Sequence, residues 1–214
     1  MSCYPINLRL TGRQCLVIGG GAVAERKVLA LLAAGACVSV LSPAVTPSLT
    51  ALAAAGRLAY IPACYQPGVI GKFFIVICAT DDAGVNRQAA EEARGHGALV
   101  NVADAPELGD FTVPAKLARG ELLLTVSTGG RSPVLARRLR EELAGCYGPE
   151  YGDCLAMIAG LRAELKEKLA TAEARGDFWR EAVSAEVLAL LREGRTGEAE
   201  EKIRNAASRF GTES

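Results

Sequence analysis

The sequence predicts an α/β fold in which a parallel sheet comes first and helices close the chain. Three observations predict it. A glycine turn joins an apolar run to a helical pattern near residue 20. Apolar runs then alternate with helical segments to about residue 110. From about residue 148 only helical periodicity is left.

Residues 13–27 read Arg-Gln-Cys-Leu-Val-Ile-Gly-Gly-Gly-Ala-Val-Ala-Glu-Arg-Lys, a strand, a turn and the start of a helix. The glycine code is Gly19-x-Gly21-x-x-Ala24. Gly19 permits the tight turn, Gly21 lets the backbone approach a pyrophosphate, and Ala24 lets helix and strand pack closely. The free N–H groups of the first helical turn, which includes Ala22 and Val23, then face the phosphates. The alternative is a bare structural turn, but the strand before it and the helix after it are the context that dinucleotide binding requires.

Val38 to Leu41 reads as the next strand, Thr46 to Ala55 as a helix and Leu58 to Ile61 as a strand. Phe73 to Ala79 is a continuous apolar run, as expected of a central parallel strand covered on both faces. Gly84 to Arg94 is helical and Leu99 to Val102 is the following strand. No acidic residue stands between Lys27 and Asp81, which suits buried α/β structure. The pattern is that of a Rossmann-like, doubly wound sheet, whose right-handed crossovers bring the C-terminal ends of the strands to one rim.

That rim is where a ligand is expected. It carries Gly19 to Val23, then Ser42, Pro43 and Ala44, then Thr80, Asp81 and Asp82, then Asn101, Val102, Ala103 and Asp104. The acidic residue that usually grips the adenosine ribose is missing after the second strand, where Ser42 stands, and no adjacent arginine is placed to take a 2′-phosphate. The pattern tilts toward NAD over NADP. Ser42 to Ala44 are expected to hold the ribose through backbone groups and a hydroxyl.

After residue 110 the pattern changes. Glu121 to Ser127 is strand-like, and Ser127-Thr128-Gly129-Gly130-Arg131 leads into Ser132-Pro133, an N-cap followed by proline at the first helical position. The turn exposes backbone N–H groups, and Arg131, Arg137, Arg138 and Arg140 add positive charge, a combination suited to carboxylates or phosphates. The alternative is a solvated basic helix face. Farther on, Leu155, Ile158, Leu161, Leu165 and Leu169 form one helical stripe, and Phe178, Trp179, Val183, Val187 and Leu190 form another. Both read as core or subunit contacts, with little Rossmann surface left for them to cover inside one subunit. Arg204 to Ser214 reads as a frayed, solvent-exposed end.

Composition excludes several classes. Lys+Arg and Asp+Glu are 24 each, so no net charge points to nucleic acid or a membrane surface. No apolar run reaches spanning length and the first twelve residues carry no signal pattern, so a cytoplasmic location is expected. The seven cysteines contain no C-x-x-C pair, and Cys15, Cys37 and Cys78 fall in apolar runs, where cysteine reads as a small core residue. They read as free thiols, with no metal site. His96, the one histidine, lies between two glycines and reads as a surface loop. There is no Tyr-x-x-x-Lys pair, and the glycine spacing at 68–73 is not that of a P-loop.

Taken together, Tyr4-Pro5-Ile6-Asn7-Leu8, the glycine turn with Arg26-Lys27, Ala79-Thr80-Asp81-Asp82, Asn101-Val102-Ala103-Asp104, Phe111-x-x-Pro114 and Ser127-Thr128-Gly129-Gly130-x-Ser132-Pro133 resemble the siroheme synthase family. The match runs in order along nearly the whole chain and corresponds to the precorrin-2 dehydrogenase/sirohydrochlorin ferrochelatase module, in a stand-alone form without the methyltransferase portion. The resemblance implies oxidation of precorrin-2 to sirohydrochlorin with NAD as cofactor, and in some members insertion of ferrous iron. It implies a homodimer, with a NAD-binding Rossmann domain at 1–113, a small α+β dimerisation and substrate segment at 114–147 and a helical domain at 148–214. The family's key aspartate falls on Asp104, as an acid–base group. Ser127 to Arg131, Arg137 and Arg138 would bind substrate carboxylates. Two other readings stay open: a nucleotide-sensing module, and a chelatase with a vestigial nucleotide pocket. Asp104 can also be read as a turn residue before Ala105-Pro106.

Overall fold

A computed structural model of the chain describes residues 3–165 and 171–210, which form two compact units, Met1–Val113 and Pro114–Ser214. The first unit holds strands β1 (Gln14–Ile18), β2 (Cys37–Leu41), β3 (Ala59–Ile61), β4 (Ile75–Cys78) and β5 (Leu99–Val102), all parallel, in the order β3-β2-β1-β4-β5. Helices α1 (Ala22–Ala33), α2 (Pro47–Ala54) and α3 (Ala83–Gly95) connect them. The strand order reverses between β1 and β4, so a crevice opens there at the C-terminal rim.

Each face of the sheet has its own core. Val17, Val38, Val40, Ile75 and Ile77 pack with Ala24, Val28 and Leu31 of α1 and Leu49 of α2. On the other face Leu16, Ile18, Val76 and Val100 pack with Ala89, Ala90 and Ala93 of α3. The alternation of side chains along each strand, combined with burial on both faces, is what makes β4 four consecutive buried apolar residues. The strand is shorter than the apolar run that contains it. Phe73, Phe74 and Ala79 are partly buried flanks.

In the second unit β6 (Ala115–Arg119) and β7 (Leu122–Val126) form an antiparallel hairpin, turned at Gly120 with φ +54°. Helix α4 (Pro133–Cys146) begins at Ser132, whose Oγ accepts from the Leu135 N–H at 3.2 Å. Helices α5 (Glu150–Leu165), α6 (Ala172–Ala182), α7 (Ala185–Arg192) and α8 (Thr196–Phe210) enclose a third core.

Strand β6 was not expected from the sequence. Ala-Lys-Leu-Ala-Arg has no β-branched or aromatic residue, and pairing with β7 supplies what local preference does not. Of the two readings of the helical stripes, core or subunit contact, core holds for their buried members. Leu161, Leu165, Phe178 and Val187 are buried against one another within the unit, together with Cys154, Leu191 and Ile203, so they are core and are not left for a partner. Leu155 and Val183 are only half-buried, and Leu169 lies outside the described residues. The segment expected to fray is helical through Phe210, and 211–214 lie outside the described residues. The exposed large apolar residues of this unit are instead Leu123 on β7 and Val134, Leu135 and Leu139 on α4.

Of the seven free cysteines, Cys15, Cys78 and Cys154 are buried and Cys3, Cys37, Cys64 and Cys146 are exposed; Cys37, expected in the core, is instead the exposed first residue of β2, at the strand's open end. Burial pushes the Cys15 thiol up to about 11 and the Cys78 thiol up to about 12. His96 is exposed and caps the end of α3. Among the described residues no helix is long and apolar enough to cross a membrane, and no group of three His, Cys, Asp or Glu side chains is placed to hold a metal.

Candidate functional site

The three glycines after β1 do different things. Gly19 has φ +120°, and a Cβ there would run into the Ala79 carbonyl at the end of β4. Gly20 is packed against the loop after β2, where a Cβ would collide with the Ala44 carbonyl and come within 2.8 Å of Ser42 Oγ. Gly21, the N-cap of α1 with φ −80°, faces open space, with nothing within 4 Å of an added Cβ. The fold therefore requires glycine at 19 and 20. At 21 it only leaves room. Gly21 and Ala22 are exposed and Val23 is half-buried at the mouth of that space.

The loop after β2 is docked onto this turn. The Thr46 N–H donates to the Gly20 carbonyl at 3.0 Å, and the Thr46 hydroxyl, while capping α2, reaches Glu25 Oε2 on α1 at 2.5 Å. Ser42 is buried, and its hydroxyl donates to the Ala44 carbonyl at 2.7 Å. Its hydrogen is thus already used within the loop, while Pro43 and Ala44 are exposed.

Across the crevice Thr80 follows β4. Asn86, buried on α3, binds its whole peptide: Oδ1 accepts from the Thr80 N–H at 3.2 Å and hydroxyl at 2.8 Å, and Nδ2 donates to the Thr80 carbonyl at 2.8 Å. Asp82 caps α3 by accepting from the Gly84 and Val85 N–H groups. This bracing of Thr80 was not read from the sequence. Its only trace there is an asparagine within a helix, a position that usually disfavours it.

At β5, the Ala103 N–H donates to the Cys78 carbonyl at 2.9 Å and extends the ladder by one step. Val102 is buried. Asn101 lies on the α1 face of the sheet, because Val100 and Val102 point into the α3 core. Its Nδ2 donates to the Phe111 carbonyl at 2.9 Å, but Oδ1 is buried with no partner, the one such side-chain atom among the described residues. A buried acceptor left empty is costly unless something else fills it. Asp104 is exposed at the rim, close enough to Lys27 for the two charges to interact. Burial and the adjacent Arg26 charge push Lys27 below the usual lysine range, and Asp104 opposes them. The far end of the Asp104 loop is pinned by Asp110, which accepts from the Val100 N–H at 2.9 Å and pairs with Arg94 at 3.3 Å.

The second unit carries the other candidate group. In the 127–132 turn the Gly129 N–H donates to Ser127 Oγ, the Arg131 N–H to the Thr128 carbonyl and the Ser132 N–H to Thr128 Oγ1. Several amides expected to be exposed are therefore spent holding the turn, in which Gly129 and Gly130 have φ +62° and +79°. Arg138 pairs with Glu142 and Arg140 with Glu141, whereas Arg131 and Arg137 are exposed and make no ion pair among the described residues.

Comparison with known proteins fits this arrangement. A family model described as putative NAD(P)-binding matches residues 6–115, over half of the chain. It is followed by a match at 119–145 to the sirohaem biosynthesis protein central region and at 150–206 to the sirohaem synthase dimerisation region. The chain belongs to the sirohaem synthase family. Family members include the siroheme synthase of Methylobacillus flagellatus, 42% identical over 84% of this chain and 38% of its own length, and that of Thioalkalivibrio sulfidiphilus, 38% identical over 96% of this chain and 42% of its own. The chain thus spans about two fifths of these siroheme synthases. Among solved structures, "SirC, precorrin-2 dehydrogenase" superposes with a TM-score of 0.79 at 26% identity, covering 97% of this chain and all of that one.

Proposed function

We propose that the chain oxidises precorrin-2 to sirohydrochlorin using NAD+, in the cytoplasm and as a homodimer. The observation that carries this reading is the open space at Gly21 on the same rim as the exposed carboxylate of Asp104, at the ends of β1 and β5 with β4 between them. Two strand spacings put them about 10 Å apart, the scale of half a dinucleotide. When bound, NAD+ supplies the hydride acceptor. The fit is good: Gly19 to Val23 and the first turn of α1 take the pyrophosphate, and Ser42, Pro43 and Ala44 border the adenosine ribose. Thr80 and the backbone at Asn101 and Val102, at the ends of β4 and β5, border the other half.

The oxidation removes one hydride and one proton from the tetrapyrrole. Asp104 accepts the proton, and Lys27 holds positive charge beside the carboxylate. Ser127, Thr128, Gly129, Gly130, Arg131, Arg137 and Arg138 bind substrate carboxylates, with Arg131 and Arg137 contributing most because their charges are uncommitted. The exposed apolar residues of β7 and α4, on a hairpin that leaves both strand edges unpaired, support pairing with a second copy. Seven unpaired thiols suit a reducing compartment.

Purified protein mixed with NAD+ and freshly made precorrin-2 is expected to form sirohydrochlorin and NADH in equal amounts, read by absorbance. Nucleotide binding without turnover would favour a sensing module. Iron insertion into sirohydrochlorin without any NAD+-dependent oxidation would favour a chelatase. In the same assay, Arg131→Ala with Arg137→Ala raises KM for precorrin-2 by about 3- to 10-fold, the scale of one or two exposed charge pairs, and raised salt reproduces part of the loss. Equal changes in KM for both ligands would leave the arginines as a solvated face.

A further inference from the structure

A dinucleotide fold usually places a carboxylate at the end of its second strand, where it accepts from the ribose 2′-hydroxyl and repels a 2′-phosphate. This chain has Ser42 there, with its hydroxyl turned inward to Ala44. A carboxylate does reach the loop that follows this strand, from another element. Glu25 is in the first turn of α1 and is tied to Thr46 at the far end of the loop after β2. That loop is itself fastened to the glycine turn by the Thr46–Gly20 hydrogen bond and the close approach of Ala44 to Gly20. Glu25 therefore stands where the pyrophosphate turn meets the ribose loop. Its Oε2 is occupied by the Thr46 hydroxyl, and Oε1 has no partner among the described residues.

The helix fixes which way its charges face. Ala24 and Val28 are buried against the sheet. At about 100° per residue, Glu25 and Lys27 leave α1 on opposite flanks, and the exposed Arg26 points outward between them. The surroundings agree: Glu25 bonds Thr46 on the β2 side, and Lys27 feels the charge of Asp104, which follows β5.

We propose that Glu25 is the residue that selects NAD+ over NADP+, supplying from α1 the carboxylate that the second strand lacks. Its free oxygen accepts from the ribose 2′-hydroxyl, and its charge opposes a 2′-phosphate. The proposal rests on the nucleotide reading above.

The test is the dissociation constants of NAD+ and NADP+ for the full chain and for Glu25→Gln and Glu25→Lys, by calorimetry at low and moderate salt. Glutamine keeps an oxygen for the Thr46 hydroxyl and removes only the charge. The ratio of the NADP+ to the NAD+ constant is expected to fall at least about tenfold in Glu25→Gln and farther in Glu25→Lys, with the change shrinking as salt rises. A ratio that does not move in either variant overturns the proposal. So does parallel weakening of both nucleotides, which makes the Glu25–Thr46 pair a loop clamp and nothing more. If the unaltered chain binds neither nucleotide, it is the nucleotide reading that fails instead.

Discussion

On the proposed assignment, Asp104→Asn is expected to lower precorrin-2 oxidation by about a hundredfold or more, the usual cost of losing an acid–base group. Asparagine keeps the size and much of the hydrogen-bonding capacity but cannot take up the proton. The residue is exposed on a loop anchored independently through Asp110, Arg94 and Val100, so the fold should not register the change. NAD+ affinity, measured in the same preparation, should move by less than about threefold, because proton transfer concerns the tetrapyrrole and not the nucleotide. Turnover close to that of the unaltered chain would reject the base role and leave Asp104 as a turn residue before Ala105-Pro106. His96→Ala is the control. That histidine is exposed at the end of α3, and its loss should leave turnover intact.

Gly21→Asp separates the ligand's needs from the fold's. The backbone at Gly21 is in an extended conformation that any residue adopts, and a Cβ there touches nothing within the chain. Gly21 is also the N-cap of α1, a position where aspartate is favoured over glycine by a few tenths of a kcal/mol. Thermal stability should therefore hold or rise slightly. NAD+ affinity should fall by about a hundredfold or more, because the side chain occupies the pyrophosphate space and sets like charge against it. Gly20→Ala should behave in the opposite manner. Its methyl group meets the Ala44 carbonyl and Ser42 Oγ, and the cost falls on folding, at about 2 kcal/mol or more. Unfolding curves and NAD+ titrations on both variants check the pair. Unchanged NAD+ binding in a well-folded Gly21→Asp chain would remove the pyrophosphate assignment.

The sheet was legible because its signals are local. β5 coincides with the predicted Leu99 to Val102, and Phe73 to Ala79 contains β4, which gives up Phe73, Phe74 and Ala79 at its two ends. Ser132 and Pro133 announced α4 because a cap and a proline act on neighbouring residues. β6 was hidden because pairing, not propensity, makes it a strand. The rim itself could be located from strand ends. What could not be read were ties between residues of different elements: Glu25 to Thr46 and Asn86 to Thr80. Each joins two elements whose separation is set by how the helices pack on the sheet. For the same reason the sequence could not show that Gly20, which lies outside the fingerprint, is among the glycines most tightly enclosed.

The distribution of thiols turns the chain into its own unfolding gauge. A dilute alkylating or disulfide reagent meets four exposed sulfurs at once, while Cys15 and Cys78 in the sheet and Cys154 among the helices are covered. The first two are also held in the unreactive protonated form. Their labelling must wait for the structure around them to open, so mass spectrometry of peptides bearing Cys78 and Cys154, sampled over time, clocks the nucleotide half and the helical half of one molecule separately, with no engineered probe.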